Sequence, residues 1–355
     1  MLPLEDANER GLMAVIEAVG LGKRYGERAA VINLSFRVEP GSVTGFLGPN
    51  GSGKSTTMRL MLGLDNGDGR TTFGGTEFRS MKEPMRHVGA LLEAKAFHPT
   101  RKARNHLRLL ASANNIPDTR VDEVMAMVGL NSVSHDKPKK FSLGMGQRLG
   151  IAAALLGDPH TLILDEPANG LDPQGITWLR NLLKQLAGEG RSILVSSHLL
   201  SEMALLADQL VVIGRGRLIT SGAVADFIKS NARTTITLRS PDMQLLGPAL
   251  AERGGYAKPG SDAGTYEVSG MSQEQVGDVA HAAGARIHEL MTRHATLEEA
   301  FLDATGMSEE FVGSVQERPQ QQLPPGGQWQ QPAQWQHPPD AQRQPPAGPT
   351  QGGAR

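Results

Sequence analysis

No cysteine occurs in the 355 residues, which excludes a disulfide framework and any thiolate metal site. The same absence fits a reducing compartment. Long apolar runs are also missing. The best of them, residues 149–156, falls far short of the roughly 18 residues that a membrane-spanning helix needs. The amino terminus, Met1-Leu2-Pro3-Leu4-Glu5-Asp6, has neither the basic region nor the apolar core of a signal peptide. Charge of one sign is lacking too: a net charge of −1 gives no basic field to recruit nucleic acid or an anionic membrane. The expectation is a cytoplasmic chain that meets a membrane only through a partner and takes no nucleic acid. Its length allows one large domain or two ordinary ones.

Against these absences stands Gly48-Pro49-Asn50-Gly51-Ser52-Gly53-Lys54-Ser55-Thr56. An apolar, strand-like run over 43–47 precedes it and a helix-like run over 58–64 follows. A phosphate-binding P-loop needs that strand–loop–helix context. Its glycines let successive backbone N–H groups turn into one concavity, and the helix adds its positive end. Lys54 then reaches the β- and γ-phosphates, and the Ser55 hydroxyl holds Mg²⁺.

Strand-like runs over 14–19 and 31–38 precede the loop, with a turn at Glu39-Pro40-Gly41. Strands are expected again at 70–78 and 88–92. The character changes over 95–157, where helices are expected at 103–113, 121–128 and 146–156, the second capped by Asp118 or Thr119. From 161 the chain alternates strands (161–164, 192–195, 209–213) with helices (178–187, 199–207). Such alternation implies right-handed crossovers and a parallel sheet. After residue 230 a small α+β unit starts, with strands at 234–238, 264–268 and 286–291 and helices at 243–252, 273–283 and 297–304. From 318 onward Pro, Gln and Gly dominate, a composition that buries too little apolar surface to offset its ordering entropy.

Leu162-Ile163-Leu164-Asp165-Glu166-Pro167 is the second informative stretch. Two carboxylates end an apolar strand at the sheet edge where ligands of open α/β folds bind. Asp165 is suited to help hold the Mg²⁺ and Glu166 to activate a water as general base.

Three further stretches fall in order around these two. Phe141-Ser142-Leu143-Gly144-Met145-Gly146-Gln147-Arg148 resembles the signature of ABC ATPases, Asn169-Gly170-Leu171-Asp172 their D-loop, and Ser196-Ser197-His198 their switch histidine. Tyr25 sits where that family stacks an aromatic ring on adenine. Over about residues 15–225 the sequence therefore resembles an ATP-binding subunit of an ABC transporter.

The resemblance implies an α/β P-loop NTPase of ABC type: a mainly parallel core sheet, an antiparallel β subdomain and a helical subdomain. The domains expected are 13–230 for nucleotide binding (95–157 helical), 231–308 for an α+β extension, and 309–355 for a disordered Gln/Pro-rich tail. It further implies a head-to-tail dimer, formed with a second copy, that sandwiches two ATP molecules. Ser142 and Gly144 would meet the γ-phosphate held by the partner, His198 would sense it, and Asp172 would communicate across the dimer. A separately encoded integral-membrane permease would place the chain on the inner face of the membrane.

Two departures stand out. Leu143 and Met145 replace a glycine and the glutamine of the usual signature, and Glu93 stands where the Q-loop has glutamine. A carboxylate there can still hold Mg²⁺ or its water, but it donates no hydrogen bond when ionised. Both departures, and the final helix over 295–302, resemble antibiotic exporters of the bacitracin-resistance type. Export of an antibiotic or other amphipathic compound is the implied task. A soluble ABC ATPase of translation or DNA maintenance fits less well, since one P-loop and no long heptad repeat are present. No Asn-Lys-x-Asp guanine-reading motif points to a GTPase.

Overall fold

In the computed structural model the described residues are 15–306, apart from 94, 232–234, 261, 263, 294 and 295. The tail over 309–355, with its expected disorder, lies outside the described residues.

Strand β1 (Ile16–Tyr25) turns at Gly26 into β2 (Arg28–Val38), an antiparallel hairpin that buries Ile16, Ala18 and Leu21 against Leu34, Phe36 and Val38. The chain then enters β3 (Ser42–Leu47), the P-loop and helix α1 (Lys54–Met61) before β4 (Asp68–Phe73) joins the free side of β1. This is the antiparallel sheet, in order β2-β1-β4.

The remaining strands of the main body are β5 (Val88–Leu91), β6 (Thr161–Leu164), β7 (Ser192–Ser196), β8 (Gln209–Gly214) and β9 (Arg217–Ala223). With β3 they form a six-stranded sheet in order β5-β6-β7-β3-β8-β9. All neighbours pair parallel except β8 and β9. Strands covered on both faces read as near-continuous apolar runs, and β3, β6 and β7 are buried along nearly their whole length. Phe46, Ile163, Leu194, Val211 and Ile213 face the antiparallel sheet. Val43, Leu47, Leu164, Val195 and Val212 face the helices.

Those helices are α2 (Ala103–Ala113), α3 (Asp118–Met127), α4 (Leu143–Leu155), α5 (Pro173–Gly188), α6 (Leu200–Leu206) and α7 (Val224–Asn231). The first turns of α1, α4 and α5 lie ahead of the expected starts at 58, 146 and 178. Glycine, serine and proline there carry no apolar periodicity, but Ser142 and Asp172 cap α4 and α5 by accepting N–H bonds from Met145 and Gly175. For α3 the expected cap is corrected. Pro117 holds the N-cap position, and Asp118, the first helical residue, instead accepts bonds from Arg104 and Arg108 of α2.

Beyond α7 the described chain builds β10 (Thr235–Arg239), α8 (Met243–Glu252), β11 (Tyr256–Pro259), β12 (Thr265–Ser269), α9 (Gln273–Ala282) and β13 (Glu289–Arg293). This βαββαβ sequence forms an antiparallel sheet in order β11-β12-β10-β13, the split βαβ arrangement. It has its own core of Ile236, Leu238, Leu246, Leu250, Val268, Val276 and Val279. Helix α10 (Leu297–Thr305), started by a Thr296–Glu299 capping box, returns to the main body. There Leu297, Ala300 and Phe301 join the core that holds Val224 and Phe227 of α7.

Candidate active site

Sheet order brings three strand ends together. The P-loop leaves β3, Asp165 and Glu166 follow β6, and β7 lies between those two strands and leads into Ser197 and His198. A cleft of about 480 Å³ opens beside them, lined by Tyr25, Arg28, Asn50, Gly51, Gly53, Lys54, Ser55, Thr56, Asp165 and Glu166. Most of the residues expected to bind nucleotide are thus gathered on one surface.

The loop's curvature depends most on Gly53. Its φ is +106°, and a Cβ there would lie 2.5 Å from the Ala30 carbonyl oxygen of β2. Only glycine takes that backbone at that distance without displacement. Lys54 opens α1 and is nearly buried; its Nζ donates to the carbonyls of Gly48 at 2.6 Å and Pro49 at 3.3 Å. Burial lowers the pKa of the ammonium, while the charges of Glu166 and Asp165 push it back up. Ser52 is buried with its hydroxyl unpartnered among the described residues.

Ser196 ties the Asp165 carboxylate to the Glu166 backbone. Its hydroxyl donates to Asp165 Oδ1 at 2.5 Å and accepts the Glu166 N–H at 2.9 Å. Glu166 sits at φ +49°, in the left-handed region, and its carbonyl accepts from the Asn169 N–H and from Gln147 Nε2. Its Oε2 lies 2.7 Å from His198 Nδ1. Tyr25, half exposed at the end of β1, donates its hydroxyl to Asp65 at 3.2 Å and has Lys23 Nζ 5.1 Å from its ring centroid.

Other expected site residues stand elsewhere. Ser142, Gly144 and Asp172 do not line this cleft; they cluster where α4 meets the D-loop. A Cβ on Gly144 would come within 2.7 Å of the Gly170 carbonyl oxygen. Glu93 does not line the cleft either. It is exposed two residues beyond β5, near Arg59, whose pKa is raised chiefly by its hydrogen bond and ion pair with Asp65 and least by Glu93.

Sequence reasoning overlooked three residues. Arg28 lines the cleft, and its guanidinium lies 3.8 Å from where a Cβ on Gly51 would be. Ser196 and Gln147 hold the Glu166 backbone. Ser196 belongs to the switch-histidine motif and Gln147 to the signature run, but only the fold reveals that both reach Asp165 or the Glu166 backbone. Arg28 had no signal of its own.

A family model described as ABC transporter matches residues 31–169. The bacitracin transport ATP-binding protein of Bacillus licheniformis is 42% identical over 212 residues, covering 59% of this chain and 69% of that protein. The chain belongs to the ABC transporter family. A lantibiotic transport ATP-binding protein of Streptococcus pyogenes is 36% identical over 206 residues, covering 58% and 89% of the two chains. A solved ATP-binding subunit of an ABC transporter matches with a TM-score of 0.56 at 27% identity, over 61% of this chain and 92% of the other. The fold also matches a dimeric ATP-binding cassette solved after hydrolysis with ADP and Pi, with a TM-score of 0.54 at 22% identity over 59% and 98% of the chains.

The expected ABC ATPase fold and the likeness to antibiotic-transport subunits are thereby borne out. This ABC subunit is an ATPase. A second family model, a domain of unknown function, matches residues 234–298. No helix among the described residues is long and apolar enough to cross a membrane.

Proposed function

We propose that this ABC subunit powers export of an antibiotic or other amphipathic compound through a permease on a separate chain, from the inner face of the membrane. The observation that carries the catalytic part is the Glu166–His198 contact of 2.7 Å beside the P-loop lysine. Glu166 accepts the proton of the attacking water, since its carboxylate is partly exposed to the cleft and its backbone is held by Ser196 and Gln147. His198 holds one carboxylate oxygen, so the other faces the water. Lys54 and the N–H groups opening α1 receive the phosphates, and the Tyr25 ring offers a face to adenine.

The donor set fits Mg²⁺. Ser55 and Asp165 present a hydroxyl and a carboxylate on one cleft, the hard oxygen ligands this ion takes alongside phosphate oxygens and water. Two carboxylates facing a polyphosphate also need a counter-cation. The ion, when bound, neutralises charge on the phosphates, and Ser55 and Asp165 would hold it.

Ser142, Gly144 and Asp172 lie away from the cleft in their own chain. That separation supports a head-to-tail pair of copies in which each signature serves the other's nucleotide. The likeness to bacitracin and lantibiotic transport proteins supports export and the cargo class.

Glu166→Gln tests the mechanism. ATP affinity should hold while turnover falls by about 10²-fold or more, as expected for loss of a general base. Unchanged turnover would remove Glu166 from that role. Purification from mild-detergent membranes of the native host tests the partner: a polytopic membrane protein should accompany the chain, and ribosomes alone would overturn the transport reading.

A further inference from the structure

Gln147 is the most deeply buried polar side chain of α4, only 1% exposed. Its Nε2 donates to the Glu166 carbonyl at 3.0 Å, whereas its Oε1 is buried with no partner among the described residues. A leucine or methionine of similar size would fill this space without orphaning an oxygen, and buried polar groups without partners are uncommon. The side chain is therefore held through its N–H group, and that group grips the backbone of the catalytic glutamate. The grip matters because Glu166 occupies φ +49°, a conformation that persists in a non-glycine residue only when its surroundings impose it.

The helix carrying Gln147 touches the far end of the same loop. Leu143 lies over Gly170, where a Cβ would meet its side chain at 2.4 Å, and Gly144 abuts the Gly170 carbonyl. Helix α4 thus contacts the loop from Glu166 to Asp172 at both ends, while its own N-terminus carries Ser142.

We propose that Gln147 is a positioning residue through which α4 sets the geometry of Glu166 in its own subunit. A partner's nucleotide engaged at Ser142 and Gly144 would shift α4 and, through the Gln147 amide, align the Glu166 carboxylate. This rests on the head-to-tail reading given above. It makes each signature both a contact for one ATP and a lever on the base acting on the other.

Gln147→Met in the full chain keeps the side-chain length and packing but removes the donor. Phosphate release, nucleotide affinity by fluorescent-analogue titration and the melting midpoint are measured together. We expect kcat to fall 10- to 100-fold, with KM and affinity within twofold of wild type and the melting midpoint nearly unchanged. A purely structural role would instead lower the melting midpoint and leave the kcat of the folded fraction intact. If the Met variant does not fold, Gln147→Asn carries the same expectation, because its amide is one methylene too short to reach the carbonyl.

A double-mutant cycle with Ser142→Ala tests the lever. If the signature acts through Gln147, the two losses in kcat do not multiply. Multiplicative losses, or wild-type kcat in the folded Gln147 variant, overturn the proposal without touching the function proposed above. Full activity in Glu166→Gln would sink that function instead.

Discussion

Ser196→Ala removes one oxygen from a site with no access to bulk water, since Ser196 is fully buried. Two bonds go with it, one donated to Asp165 and one accepted from the Glu166 N–H. Leaving that N–H unpaired costs about 1–3 kcal/mol, and a bond to a charged carboxylate contributes about 1.5–3 kcal/mol. Both carboxyl groups are partly exposed, so water recovers a share by solvating Asp165, and the lower end of the sum applies: about 2.5–3 kcal/mol. Charged against alignment of the base, that amounts to roughly a hundredfold in kcat at about 1.36 kcal/mol per tenfold. Nucleotide affinity should change far less, because Ser196 does not line the cleft. Steady-state phosphate release at saturating ATP, read beside a fluorescent-nucleotide titration, separates the two. A folded variant with wild-type kcat would refute the view that this hydroxyl positions Asp165 and the Glu166 backbone.

Gly53→Ala forces a Cβ against the Ala30 carbonyl at φ +106°. Backbone strain of about 1–3 kcal/mol should appear as a lower melting midpoint and at least a tenfold loss of ATP affinity by titration. In the βαββαβ unit, two bonds from the Arg286 guanidinium and one from its backbone N–H hold the Asp242 carboxyl well below the usual carboxylate range. A folded pKa depressed in this way stabilises the protein above the unfolded carboxylate value of about 3.9, and the effect fades as pH falls through the folded value. Wild type should therefore melt above Asp242→Asn at pH 7, with the gap narrowing only below about pH 4; a gap that widens in acid would contradict the pairing. Phe301→Ala empties a nearly buried site on α10. A loss of about 3 kcal/mol is expected by chemical denaturation.

The site's grouping was legible where chemistry forces residue type: a Gly-rich loop, a lysine and a strand ending in two carboxylates admit few other uses. Strands β3, β6 and β7 were legible for a related reason, since a strand covered on both faces is a near-continuous apolar run. Strand β9 escaped because it is an exposed edge whose sequence, Arg217 to Ala223, shows no alternation. Strand β11 escaped in the same way, being four residues long and ending in a proline. Helix starts shifted wherever the first turn serves the site, as with Lys54 and Leu143, because those turns are chosen for ligand approach and not for burial. Arg28, and the contact Gln147 makes from within the signature run, were invisible for a deeper reason. Each acts across a gap in sequence that only the packing of α4 on the Glu166 loop, or of β2 beside the P-loop, closes.

Because α10 lies on α7, the βαββαβ unit hangs between two anchored ends, as a bucket handle does, and not from a single tether. Shortening the chain after α7 would then do more than delete an appendix. It would strip the cover from Val224 and Phe227 and leave a sticky apolar stripe on the ATPase body. Excising only residues 235–293 and splicing α10 back through a flexible linker should keep that stripe covered. A soluble minimal cassette is thus reached by cutting out the middle of the handle while leaving its far rivet in place.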